Sequence, residues 1–279
     1  MLISRYRTRE LIQIMIRNIS ETFQILKKNH ECALVPFITA GDPDLDVTER
    51  ALKVLDSEGA SIIEVGLPYS DSLADGPIIQ AAASRALSKK INFVDILARL
   101  QNINGQISAP IVIFSYYNLV LRQGVEQFVK KIADSGAKGL LIPDLPLEES
   151  EQVLELCSRY NLELILLIAP TSSNERIRMI SERSQGCVYI VAANGVTGLK
   201  SDFDVEVQDL VKKVKSITDK PVILGFGVSS PRQAALIKSW GVDGVVLGSA
   251  FVKQLELYNE TQGLFEFQTF CKQIKQSLL

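Results

Sequence analysis

The sequence predicts a closed (β/α)8 barrel, and three observations carry that prediction. Short apolar runs alternate along the chain with longer segments of helical period, the signature of a parallel sheet with crossover helices. Eight such units fall within 279 residues, and eight units in that length fit a barrel better than an open doubly wound sheet. No linker, low-complexity tract or break in composition separates them. Residues 1–279 therefore read as one α/β TIM-barrel domain, with 1–19 as an N-terminal extension carrying an extra helix.

The first strand, Ala33–Thr39, runs into Gly41-Asp42-Pro43, a stop that neither strand nor helix continues through. The second, Ser61–Gly66, ends at Gly-Leu-Pro, and a Ser- and Asp-rich loop follows until Gly76-Pro77 can open a helix. The third, Ile111–Ser115, precedes Tyr116 and Asn118; the fourth, Gly139–Pro143, precedes Asp144; the fifth, Glu163–Ala169, precedes Pro170-Thr171. The sixth is Cys187–Ala192, with Tyr189 inside it and Gly195 after it. The seventh, Pro221–Gly225, and the eighth, Gly244–Gly248, end in Gly225-Phe226-Gly227 and Gly248-Ser249. Between the sixth and seventh strands, Val207, Leu210, Val211, Val214 and Ile217 form one apolar stripe on a helix over Val205–Thr218, with Lys212, Lys213 and Lys215 opposite. Ser230-Pro231 supplies a cap and a first-turn proline for the next helix.

Composition narrows the function. Acidic residues (32) nearly balance basic ones (30), so no overall field draws the chain to nucleic acid or an anionic membrane. No apolar run reaches the roughly 20 residues that span a bilayer, and Met1–Asn18 lacks the apolar core of a secretory signal. Arg5, Arg7, Arg9 and Arg17 in that leader fit a targeting segment or a solvated amphipathic helix. Cys32, Cys157, Cys187 and Cys271 show no metal or redox spacing, which fits a reducing compartment, cytoplasm or plastid stroma.

In such barrels the chemistry sits at the carboxyl ends of the strands, and two carboxylates stand out there. Glu64 lies in an apolar strand buried on both faces, so it needs a partner, a shifted pKa or a task. Its structural alternative is an ion pair with an Arg or Lys. Asp75 hangs on the loop over the same strand end. Glycine-rich loops after the seventh and eighth strands, Leu224–Val228 and Leu247–Phe251, lie where barrels hold phosphate at the start of a short extra helix. Without a Cβ, successive N–H groups can approach an anion.

Absences narrow the reaction further. The single histidine, His30, precedes the first strand and belongs to the stability face, against a histidine-ligated metal or a Ser-His-Asp arrangement. No lysine lies inside a strand, and Lys138 and Lys220 come just before strands, at the wrong end for a Schiff base. Carboxylate proton transfer on a phosphorylated small molecule remains.

The strings Val35-Pro-Phe-Ile-Thr-Ala-Gly-Asp-Pro43, Glu64 through Gln80, Gly195-Val-Thr-Gly198 and Gly225-Phe-Gly227 resemble the tryptophan synthase alpha chain family over about residues 20–250. The resemblance implies the same barrel and the cleavage of indole-3-glycerol phosphate to indole and D-glyceraldehyde 3-phosphate, a lyase step of aromatic amino-acid biosynthesis without metal or organic cofactor. It gives Glu64 and Asp75 as the catalytic pair and Tyr189 as an aromatic residue of the site. Gly198, Phe226, Gly227, Gly248 and Ser249 match phosphate-holding positions, and Phe37 and Tyr116 resemble indole-pocket residues. It also implies a pyridoxal-phosphate beta chain as partner in an alpha2-beta2 heterotetramer, meeting the barrel mouth near Asp71, Ser72, Leu73 and Asn118. Ser72 replaces the family's usual proline and removes a φ restraint beside Asp75. Ala192-Ala193-Asn194 replaces a Ser-containing stretch. A free-standing lyase would share every one of these residues, and a phosphate-ligand sensor would share the barrel without turnover.

Overall fold

The computed structural model describes residues 17–191, 201–225, 227–258 and 262–279. The expectations for Arg5, Arg7, Arg9, Ala192-Ala193-Asn194, Gly195, Gly198 and Phe226 lie outside the described residues. Eight strands close into a barrel in chain order, each parallel to both neighbours. They are β1 (Ala33–Thr39), β2 (Ile63–Gly66), β3 (Ile111–Phe114), β4 (Gly139–Leu141), β5 (Glu163–Ile168), β6 (Val188–Val191), β7 (Val222–Gly225) and β8 (Gly244–Leu247). Each lies within the span read from the sequence, because glycine, proline and asparagine end the apolar runs where the strands end.

The helices before β4 are α1 (Ile19–Asn29), α2 (Leu45–Ser57), α3 (Pro77–Ser88), α4 (Phe93–Ile103), α5 (Tyr117–Gln123) and α6 (Val125–Asp134). After β4 come α7 (Ser150–Arg159), α8 (Asn174–Arg183), α9 (Ser201–Ile217), α10 (Pro231–Ser239), α11 (Ser249–Glu256) and α12 (Phe265–Ser277). The expected caps form. Gly76 and Pro77 open α3, and the Ser230 side chain accepts from the Gln233 amide at the start of α10. Val207, Leu210, Val211 and Val214 bury the expected stripe of α9, while its start at Ser201 precedes the expected Val205.

Alternation along the strands sorts side chains into two layers. Leu34 and Ile38 of β1 join the apolar shell shared with the helices. Ala33 and Val35 point inward with Ile62, Val112, Leu141, Ile165, Tyr189, Ile223 and Val246, which fill the barrel.

The helix read from the sequence within the first 19 residues falls mostly outside the described residues, and a further helix precedes β1. It spans Ile19–Asn29, and its start is set by a capping box between Asn18 and Glu21. Ile19 is wholly buried and fills space that a Cβ at Gly139 or Gly186 would take. Glu163, at the amino end of β5, accepts from the Ile19 amide at 2.7 Å, the Ser20 amide at 3.1 Å and the Ser20 hydroxyl. A carboxylate at a helix N-terminus satisfies orphan donors and the helix dipole together. This plug packs against the floor of the barrel, and in such barrels the chemistry belongs to the opposite, carboxyl end.

Candidate active site

Glu64 sits in the middle of β2, paired in register with Phe37 of β1 and Val112 of β3. It is 1 % exposed, and its Oε1 is buried with no hydrogen-bond partner among the described residues. Burial alone raises its pKa to about 8. No arginine or lysine pairs with it among the described residues, so the structural ion pair considered above is set aside. A carboxyl that keeps its proton to neutral pH has one to give.

Asp75 reaches the same mouth from the β2–α3 loop, and several contacts hold it there. Its amide donates to the Ser72 carbonyl at 3.1 Å, and its own carbonyl accepts from the Gln80 side chain at 2.9 Å. The Tyr116 hydroxyl, at the end of β3, accepts from the Ala74 amide at 3.2 Å and hydrogen-bonds the Asp75 carboxylate. Burial raises the Asp75 pKa, with the Tyr116 and Ser72 hydroxyls opposing the rise. Burial and the adjacent Asp75 charge push the Tyr116 hydroxyl above its ordinary value, so it stays a donor. Ser72 is buried, at 3 % exposed. Its carbonyl accepts both the Asp75 amide and, at 3.2 Å, Gln80 Nε2.

Further along, Arg85 of α3 grips Asp42 with two bonds of 2.8 Å and also reaches Glu256 of α11 at 3.1 Å. That clamp ties the Gly41-Asp42-Pro43 turn, the helix behind Asp75 and the helix after β8 to one another. Asp144, at the end of β4, accepts from the Tyr117 amide at 2.8 Å and caps α5.

An apolar wall completes the mouth. Phe37 packs edge-on against Phe114 with ring centroids 5.4 Å apart, and Phe114 meets Tyr116 edge-on at 6.1 Å. Tyr69, on the Asp75 loop, lies against Tyr116 at 5.3 Å and accepts a bond from Asn118 at 2.9 Å. The Phe37 ring occupies the space above Gly66, where any Cβ would strike it. Phe37, Tyr116 and Glu64 are thus brought together as expected. Phe114 and Tyr69 were missed, although Phe114 stands two residues after inward-facing Val112 and the alternation could have found it.

Tyr189 is inward on β6, and its hydroxyl lies where a Cβ at Gly225 would go. Burial, and then the Glu64 charge, raises its pKa. Gly227 holds φ +30°, which favours glycine, and nothing occupies the space where its Cβ would project. Gly248 caps the eight-residue α11, whose first residue is Ser249. The amides of that first turn have no intrahelical acceptor and suit a phosphate.

A closed parallel barrel with a buried glutamate of raised pKa on β2 and a free helix start after β8 has the architecture of a (β/α)8-barrel enzyme. The family model described as tryptophan synthase alpha chain matches residues 23–278. The tryptophan synthase alpha chain of Pyropia yezoensis is 52% identical over 264 residues, covering 95% of this chain and 100% of that one. That of Picosynechococcus is 51% identical over 261 residues, covering 94% and 99%. The crystal structure of tryptophan synthase subunit alpha from Legionella pneumophila superposes with a TM-score of 0.85 at 30% identity, over 93% of this chain and 97% of that one. This chain belongs to the tryptophan synthase alpha chain family. It is a carbon–carbon lyase that cleaves indole-3-glycerol phosphate to indole and D-glyceraldehyde 3-phosphate, a step of tryptophan biosynthesis.

Proposed function

We propose that Glu64 and Asp75 carry this cleavage, and the observation that supports it most is a carboxyl raised to about 8 by burial, with an oxygen that has no partner among the described residues. Protonated Glu64 gives its proton to the ring carbon that bears the glycerol chain. Positive charge then builds on the ring nitrogen, and Asp75 accepts that N–H and stabilises it. Glu64, now a carboxylate, takes the proton of the adjacent hydroxyl. The carbon–carbon bond breaks, its electron pair returns to the ring, and the hydroxyl carbon leaves as an aldehyde. Each proton given is regained, so Glu64 ends the cycle as it began. Phe37, Tyr116 and Tyr189 line the indole and chain positions. Gly198, Phe226, Gly227, Gly248 and Ser249 hold the phosphate.

The pH dependence of kcat/KM tests this assignment, because it reports the ionisations of free enzyme. The profile should fall as pH rises through about 8, where Glu64 loses the proton it donates. On the acid side it should rise as Asp75 ionises, above that group's ordinary 3.8. A flat profile across both regions would exclude the pair in these roles.

The family works in tryptophan synthase with a beta chain, and we extend that to this chain as an alpha2-beta2 heterotetramer that passes indole onward. Leu73 is 92 % exposed at the tip of the Asp75 loop, an apolar side chain at the rim that suits a covering partner. Ser72, buried in the lone chain, would act through its backbone rather than by contact. Titrating a matching beta chain should raise indole release about tenfold or more, equivalent to about 1.4 kcal/mol in favour of the closed loop. Full activity from the alpha chain alone, with no complex by mass, would favour a free-standing lyase. A single barrel domain with residues 1–19 as its extension belongs to the same reading, as does a reducing compartment, cytoplasm or plastid stroma. No helix among the described residues is long and apolar enough to cross a membrane.

A further inference from the structure

Thr39 closes β1, and its hydroxyl is buried with no hydrogen-bond partner among the described residues. It is 2 % exposed. A threonine hydroxyl placed this way forgoes the bonds it made to water, and each such group in a folded protein calls for an explanation. Alternation along β1 turns Thr39 to the same side as Ala33, Val35 and Phe37, toward the lumen. It pairs in register with Gly66, one pleat above the Phe37–Glu64 pair. Gly66 has no side chain that could take up the hydroxyl.

The barrel closure makes that position informative. β1 is the strand between β2, which carries Glu64, and β8, which leads into Gly248 and Ser249. A substrate with its reacting carbon at Glu64 and its phosphate at the start of α11 must lay the intervening chain across the top of β1. The glycerol chain has one hydroxyl between those two points, on its middle carbon. Two orphaned polar atoms, Glu64 Oε1 and Thr39 Oγ1, thus stand on neighbouring strands one pleat apart under that path.

We propose that Thr39 is a substrate-binding and specificity-determining residue whose Oγ1 hydrogen-bonds the middle hydroxyl of the glycerol phosphate chain. The inference rests on the placement of the reacting carbon at Glu64 and the phosphate at Gly248. Its consequence is selection for a hydroxylated three-carbon chain: a substrate lacking the middle hydroxyl leaves the Thr39 hydroxyl without that bond.

The test crosses substrate with variant. Wild type, Thr39→Val and Thr39→Ser are each assayed on indole-3-glycerol phosphate and on its analogue without the middle hydroxyl. Wild type should lose about tenfold to a hundredfold in kcat/KM on the analogue, the worth of one such hydrogen bond. Thr39→Val should show that loss on the natural substrate and no further loss on the analogue, while Thr39→Ser stays near wild type on both. Equal losses by Thr39→Val on both substrates would assign the hydroxyl a structural task and overturn the proposal. So would a wild type indifferent to the missing hydroxyl, a result that stands even if no variant folds. Glu64→Gln assayed alongside separates the two layers. Inactivity there with a null Thr39 cycle refutes only the hydroxyl contact, and activity there refutes the site on which it rests.

Discussion

Glu64→Gln is expected to lower kcat by on the order of 10²–10⁴, the worth of a positioned proton-transfer group, with the upper end favoured because one carboxyl serves twice. KM should change little, since the amide keeps the shape and polarity of the side chain. The same substitution should stabilise the fold. Glu64 keeps its proton to about 8 in the folded chain against an ordinary 4.5, so the folded state binds the extra proton and stability falls as pH rises through that interval. Glutamine has no charge to bury, so the variant's advantage should be near zero below the interval. Above it the advantage should approach about 5 kcal/mol. Steady-state indole release, with denaturant midpoints at about pH 4 and about pH 9, reads both effects. Turnover within tenfold of wild type, or a stability gap that does not widen with pH, would remove Glu64 from its role.

Asp75→Asn ranks second. It keeps the side chain's size and leaves the Tyr116 bond possible, but removes the fixed charge that faces the developing cation on the ring nitrogen. A loss of about 10²–10³ in kcat is expected, the range for deleting one preorganised electrostatic partner. Single-turnover indole formation should fall by the same factor as steady-state turnover, because the chemical step itself is slowed. Near-normal single-turnover rates with slow steady-state turnover would place Asp75 in loop motion and product release instead.

Much of this was legible before folding. The strands announced themselves because strands buried on both faces must be apolar throughout, and the turn residues that end them cannot continue a strand. Glu64 was conspicuous for the same reason, a charge in a run that excludes charges, and Asp75 followed from its place on the loop after that run. The glycine-rich turns after β7 and β8 could be read as a pair of positions on adjacent late strands. Glu163 would have been misread by this logic alone: it too is a carboxylate in an apolar strand, yet it caps α1 on the floor of the barrel. Position along the strand, amino end against carboxyl end, separates the two.

The eight-stranded parallel barrel and the two carboxylates to watch can be read along the chain, because they depend on local pattern and on a rule about strand ends. The rest comes from the folded arrangement. The plugging helix at Ile19–Asn29, the Tyr116 hydroxyl bonded to Asp75 and the Phe37–Phe114–Tyr116 wall all join residues from separate units. Side-by-side packing of β1, β2 and β3 sets the last two, and side-chain reach between units is a distance in space that no spacing along the chain encodes.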